Sequence, residues 1–242
     1  MRSNSEWPPP FTLRYSTRAR SVRLRICARR GLQLIVPRFF DAAKTPIILQ
    51  QHKNWIERTW QRIQHSLTRV EPEEVSPQQL SLPALNETWT IHYIPVSQSK
   101  ALWRELPEEK NLTVYACNTH SRKIKKILLS WLQQRAQHYL LTWLTKLGQQ
   151  TGLYYSRAGV RNATTRWGSC SANKTISLNY KLLFLPNSLV EYVLLHELCH
   201  TVHFNHSPQF WELVKKFSPE YQQWRKQLKQ ANDKIPIWVE DK

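Results

Sequence analysis

The chain has 242 residues, long enough to bury a full core in one large or two small domains. Its hydrophobic share of 41% is that of an ordinary folded protein and excludes a disordered one. Lysine and arginine number 35 against 17 acidic residues, a net charge of +18, so polyanions are natural partners: nucleic acid, nucleotides or acidic proteins.

In chain order, residues 11–15, 21–28 and 32–36 read as three short strands. Arg29-Arg30-Gly31 turns the second into the third, and Gly31 suits a positive φ. Arg14, Arg18, Arg20, Arg23, Arg25, Arg29, Arg30 and Arg38 fall in a span with no acidic residue. From Val22 to Ile26 apolar residues alternate with arginines, as a half-exposed antiparallel strand demands. A solvated face and a polyanion contact both fit that pattern. Residues 41–69 read as a helix with Ile47, Ile48, Gln51, Trp55, Ile56, Trp60 and Ile63 on one stripe. Pro72 and Pro77 mark a loop, and strands follow within 79–117, notably 88–94 and 111–116. A long helix spans 121–149, with Gly148 near its end and Gly152 just beyond. Strands then read at 158–161, 164–167 and 175–184. In the last, Ile176, Leu178, Tyr180 and Leu182 alternate with polar residues. An apolar helix begins near Pro186-Asn187-Ser188 and two more run over 208–217 and 219–230. The tail 235–239 reads as an extended segment.

The predicted fold class is α+β: a β-rich, basic N-terminal region with one long helix at 1–118, then a catalytic domain at 119–242. No apolar run approaches about 18 residues, so no membrane span is expected. The N-terminus lacks a signal-like apolar segment. The cysteines at 27, 117, 170 and 199 form no CxxC pair, and a reducing cytoplasm fits. Cys199 reads as a small apolar residue.

The most informative stretch is His196-Glu197-Leu198-Cys199-His200. Two histidines four apart share a helical face and reach one zinc ion. Glu197 is placed to work beside that metal as a general base. Catalytic zinc usually takes a third protein ligand. Glu191 lies on another face. His203 stands about 10 Å along the axis from His196 if the helix continues, too far to share the ion, so its role is to support a ligand or to face solvent. His206 reaches the site if the helix ends near His203 or Phe204 and Asn205 turns the chain back in a left-handed conformation. Ser207-Pro208 then starts a new helix. The predicted ligands are His196, His200 and His206, for one zinc per chain. Trp167, next to Arg166, reads equally as a cleft floor and as a core residue.

Three segments carry a resemblance to a known family. One is Thr165-Arg166-Trp167-Gly168-Ser169-Cys170, followed by Ile176-Ser177-Leu178-Asn179-Tyr180. The second is the HELCH stretch with Asn205-His206-Ser207-Pro208 and Phe210-Trp211. The third is the basic pattern around 18–37 followed by a helix holding Trp55-Ile56. Together they resemble the YgjP-like (DUF45) metal-dependent hydrolases, usually placed beside the SprT-like zinc metallopeptidases. The resemblance implies a zincin-like core, zinc on His196, His200 and His206, and Glu197 as the catalytic acid/base. Members usually carry a glycine near residues 80–85, where this chain has none.

The expected function is that of a zinc metallopeptidase whose zinc-bound water is activated by Glu197. Because nucleotide pyrophosphatase activity is also attributed to the family, the alternative is a nucleoside triphosphate (UTP-type) pyrophosphatase with phosphates clamped by Arg161, Arg166 and Lys181. A nucleic-acid-bound protein with a structural zinc is a third reading, against which Glu197 stands, since a structural site has no use for it. Arg166, Trp167, Asn179 and Lys181 are the candidate substrate contacts. The expected partners are a peptide, protein or nucleotide substrate, and nucleic acid or another polyanion on the basic N-terminal half.

Overall fold

The computed structural model describes residues 7–17, 19–27, 31–67, 76–96, 102–116 and 121–239, without the side chains of 27, 62–67, 121–122 and 237. Arg18, Arg29, Arg30, Pro72 and Cys117 lie outside the described residues, as does the side chain of Ile63. The chain divides into two compact units, Met1–Glu73 and Glu74–Lys242. Each has its own apolar core. The expected boundary at 118/119 falls inside the second unit.

In the first unit, β1 (Phe11–Ser16), β2 (Arg23–Cys27) and β3 (Gly31–Pro37) form a sheet in the order β1-β3-β2. β3 runs antiparallel to β2 and parallel to β1. Gly31 has a φ of +65°, the conformation its turn was expected to need. Leu32, Leu34 and Val36 are buried by strict alternation and meet Leu49 and Ile56 from the helices. The helix expected over 41–69 is segmented. A 3₁₀ turn at Ala42–Lys44 is capped by Asp41, whose carboxylate accepts from the Ala43 N–H. Then come α1 (Thr45–Gln51), with a proline in its first turn, and α2 (Lys53–Leu67). Pro46 cannot occupy a helix interior, so α1 starts afresh there. The break at His52 is slight, because its N–H still donates to Ile48 O at 3.2 Å and Ile56 N–H reaches His52 O at 2.9 Å.

The second unit opens with β4 (Gln79–Leu82), β5 (Glu87–Pro95), β6 (Leu102–Leu106) and β7 (Asn111–Ala116), ordered β4-β5-β7-β6. Asn86, with φ 54°, makes the left-handed turn between β4 and β5, just past the region without a glycine. The sheet's apolar face, including Leu82, Trp89, Ile91, Leu112 and Val114, shares a core with α3 (Ser121–Thr151). Arg135 on α3 is 5% exposed and is paired with Glu87 at 2.5 Å and Glu105 at 3.2 Å. Its guanidinium lies over Trp89, 4.2 Å from the ring centre. Gly152, φ +70°, closes α3.

A second small sheet has the order β8-β10-β9, from β8 (Arg157–Arg161), β9 (Gly168–Cys170) and β10 (Thr175–Asn179). β10 is parallel to β8 and antiparallel to β9. Two expectations are corrected here. Residues 164–167 are a loop, and the strand starts at Gly168. The strand expected over 175–184 stops at Asn179 and becomes a 3₁₀ turn, Tyr180–Phe184. The Asn179 side chain accepts from the Lys181 N–H at 3.2 Å and so caps that turn. The apolar alternation does not mark a one-sided strand, because every residue from 176 to 185 is buried.

α4 (Asn187–Cys199), α5 (Pro208–Phe217) and α6 (Tyr221–Leu228) complete the unit. α5 begins as expected, with Ser207 accepting from the Phe210 N–H and Pro208 in the first turn. α6 begins two residues past Pro219. The tail is not extended: 3₁₀ turns at Ala231–Lys234 and Ile237–Val239 bury Ile235 and Val239. No described helix is long and apolar enough to cross a membrane.

Candidate metal centre

α4 buries Leu189, Val190, Tyr192, Val193, Leu194, Leu195, Leu198 and Cys199, so it is apolar around most of its surface. Its polar groups at the C-terminal end, His196 and Glu197, are therefore held inside the unit. His200 is the C-cap. The helix stops at Cys199, earlier than the expected 203 or 204. The chain turns back through Thr201 N–H to Leu198 O at 2.9 Å, and Val202 and His203 N–H to Cys199 O at 3.1 Å each. Asn205 does not take the left-handed conformation expected of it. Among the described residues the non-glycine positive φ values belong to Asn86, Lys110 and Lys174.

That turn delivers His206 to the other two histidines. The ligand-capable nitrogens of His196, His200 and His206 all lie within 4.8 Å of one another, and Nε2 of His196 and of His206 are 3.2 Å apart. Two nitrogens on a tetrahedral ion at 2.0–2.1 Å stand about 3.4 Å apart, so the three imidazoles fit a single ion. His200 Nδ1 lies 2.9 Å from the His203 carbonyl, which can only accept. That hydrogen bond fixes the proton on Nδ1 and leaves Nε2 as the ligand atom. His203 thus serves through its backbone. Burial pushes His196 down to about 3, helped by His200, His206 and Arg225. Burial also lowers His200, against the opposing hydrogen bond to His203. Neutral imidazole is the form that binds metal.

Aromatic rings fix the ligands in place. Phe210 stacks on His200 with centroids 4.3 Å apart, and Trp211 stacks on His206 at 5.4 Å. Tyr221 stacks on Trp211 in turn, and the Arg225 guanidinium sits 4.8 Å from the Trp211 ring centre. Phe210 and Trp211 stand in the sequence motif beside the third ligand, but nothing in the motif alone assigns them this packing role. Their signal was two aromatics one turn into a helix that starts just after the third ligand.

Glu197 is 5% exposed, and its Oε2 has no hydrogen-bond partner among the described residues. Burial pushes its carboxyl up to about 8, with Arg166 pulling it down. The carboxyl lies against Gly168 on β9. A Cβ at Gly168 would stand 2.6 Å from Glu197 Oε1 and 2.7 Å from Cγ. Gly168 is a site residue that the sequence reading, with its strand at 164–167, does not single out; a glycine at a strand end is a weak signal of close approach by another group.

The candidate substrate contacts separate. Arg166 is exposed in the loop before β9, and its charge acts on Glu197. Trp167 is half-buried and packs on the core. Asn179 is 4% exposed: its Nδ2 donates to Ala163 O at 2.9 Å and Arg166 O at 3.0 Å, so it shapes the 163–167 loop. Lys181 is 7% exposed, in the 3₁₀ turn. Arg161 is exposed at the end of β8.

The family model described as YgjP-like, metallopeptidase domain matches residues 20–231. No curated protein matches the chain. Among solved structures, the metallopeptidase zymogen abylysin of Pyrococcus abyssi is 23% identical, over 38% of this chain and 93% of that one, with a TM-score of 0.35.

Proposed function

The chain belongs to the YgjP-like metallopeptidase-domain family, and from that premise we propose that it is a zinc peptidase with a zincin-like, HExxH-type site. His196, His200 and His206 would hold the zinc, one per chain, and Glu197 is the general base. The observation that carries this reading is the convergence of three imidazoles beside a buried carboxyl that has no ion-pair partner among the described residues. When bound, the metal supplies a Lewis acid that makes water a better nucleophile and polarises a carbonyl.

The chain's own groups do the rest. Glu197 accepts the proton of the attacking water on its carboxylate and returns it to the leaving amine. Gly168 leaves room for that carboxylate. The His203 carbonyl keeps the His200 ring in its ligand orientation. β9 ends the strand order of its sheet beside Glu197, and an extended peptide would pair along that edge. Arg166, exposed beside this edge, is the candidate for steadying negative charge on the substrate carbonyl.

The test is turnover of metal-quantified protein, before and after chelation and zinc reloading, on casein, on protein bound to single-stranded DNA and on nucleoside triphosphates. Zinc-restored peptide hydrolysis is expected. Pyrophosphate release with no peptide cleavage would overturn the proposal.

A further inference from the structure

The sheet of the first unit has a strongly basic outer face, set by its register. Arg14, Ile35 and Arg23 form one cross-strand row, and Thr12, Gln33 and Arg25 the next. The alternate row, Leu13-Leu34-Leu24, faces the core, where Leu34 is fully buried. Side chains alternate along a strand, so the arginine rows point away from that core. Arg14, Arg23 and Arg25 are exposed. The acidic groups described in this unit are engaged elsewhere: Asp41 caps a 3₁₀ turn, and Glu57 is 3.9 Å from Lys53. Among the described residues no carboxylate pairs with the three arginines. Like charges held on one rigid face repel, and an anionic partner relieves that repulsion.

The residue type narrows the partner. Residues 7–40 contain eight arginines, no lysine and no acid. Guanidinium grips phosphate in bidentate fashion and stacks on bases, which ammonium does not. β2 is also an edge strand, and on its other side lies a cleft of about 410 Å³ lined by Val22, Leu24, Ile48, Gln51, His52 and Trp55. Trp55 is 45% exposed, a platform for a base. Among the described residues this face is built of strands alone, with no helix on it to enter a duplex groove. Unpaired bases, by contrast, are free to stack.

We propose that single-stranded nucleic acid binds across the edge strand β2, with phosphates on Arg14, Arg23 and Arg25 on the outer face and a base against Trp55 in the cleft on the other side of that edge. The proposal is independent of the hydrolase reading. It is tested with the full chain by fluorescence anisotropy of labelled 20-nucleotide oligo-dT and oligo-U between 50 and 200 mM salt. Each phosphate neutralised on a single strand adds about 0.7 to the salt slope, so Arg14→Gln/Arg23→Gln/Arg25→Gln should lower the slope by about 2. Trp55→Ala should weaken binding about tenfold and leave the slope unchanged. A triple of equal charge loss on the second unit, Lys215→Gln/Lys216→Gln/Lys226→Gln, should leave the slope unchanged. Binding of either sugar supports the proposal. It is overturned by absence of binding at 50 mM salt, by an equal effect of the lysine triple, or by duplex or phosphatidylserine vesicles binding at least as tightly with the same arginine dependence.

Discussion

Gly168→Ala separates the placement of the general base from every other property of the site. Gly168 has no positive φ among the described backbone values, so alanine fits the strand conformation. The clash is with one side chain: the new Cβ would be 2.6, 2.7 and 2.9 Å from Oε1, Cγ and Cδ of Glu197. Ordinary contact lies beyond roughly 3.4 Å, so the carboxyl must retreat by about 0.8 Å. The atoms displaced are the far end of a flexible side chain. The fold should lose only about 1 kcal/mol, the scale of an off-rotamer side chain, or a few degrees in Tm. Catalysis is less tolerant, because a shift of about 1 Å in a catalytic group costs about 100-fold. We therefore expect kcat on a peptide substrate to fall about 100-fold, with zinc content unchanged. Turnover, metal analysis and thermal unfolding on one preparation check all three. Wild-type kcat in this variant would refute the placement of Glu197 against β9, and loss of zinc would show that the perturbation acts through the ligands instead.

Two further outcomes follow from particular contacts. His206→Ala should lose most of its zinc, while His203→Ala should keep it, because His203 offers only its backbone carbonyl to His200; metal analysis showing the reverse would reassign the third ligand. Burial raises the Glu87 carboxyl, but hydrogen bonds from Lys110, Trp89 and Arg135 outweigh it and hold the group below its ordinary 4.5. A carboxyl depressed in the folded state contributes stability above its unfolded pKa of about 4.3, and that contribution disappears as pH falls through the folded value. Glu87→Gln should accordingly be less stable at pH 7 and should flatten the acid limb below about pH 4.5; urea midpoints from pH 7 to 3 with parallel slopes in the two proteins would contradict this.

What the sequence made legible was whatever has a short, one-sided period. Leu32, Leu34 and Val36 alternate because one face of β3 is core, and α3 carries its apolar stripe from Ile124 to Leu147. The histidine spacing on α4 is likewise a local property. Elements whose character depends on distant partners were harder to read. β6 is half-exposed along its length, with Leu102 and Leu106 outside, so no hydrophobic pattern announces it. Residues 180–184 look like a continuing strand until the Asn179 amide is seen capping a turn. Lys181 looks like a surface cation and is buried. Gly168 gains its meaning only from Glu197, nearly thirty residues on, and the stacking of Phe210 and Trp211 on the ligands only from the turn after Cys199.

The central claim is that one zinc on three histidines works with Glu197 in hydrolysis. Its most direct test is peptide turnover per bound zinc in the wild type and in Glu197→Gln, measured on matched preparations. One zinc per chain is expected in both proteins, with a loss of 100-fold or more in the variant, the usual scale for removing a general base. Wild-type turnover by zinc-replete Glu197→Gln would contradict it.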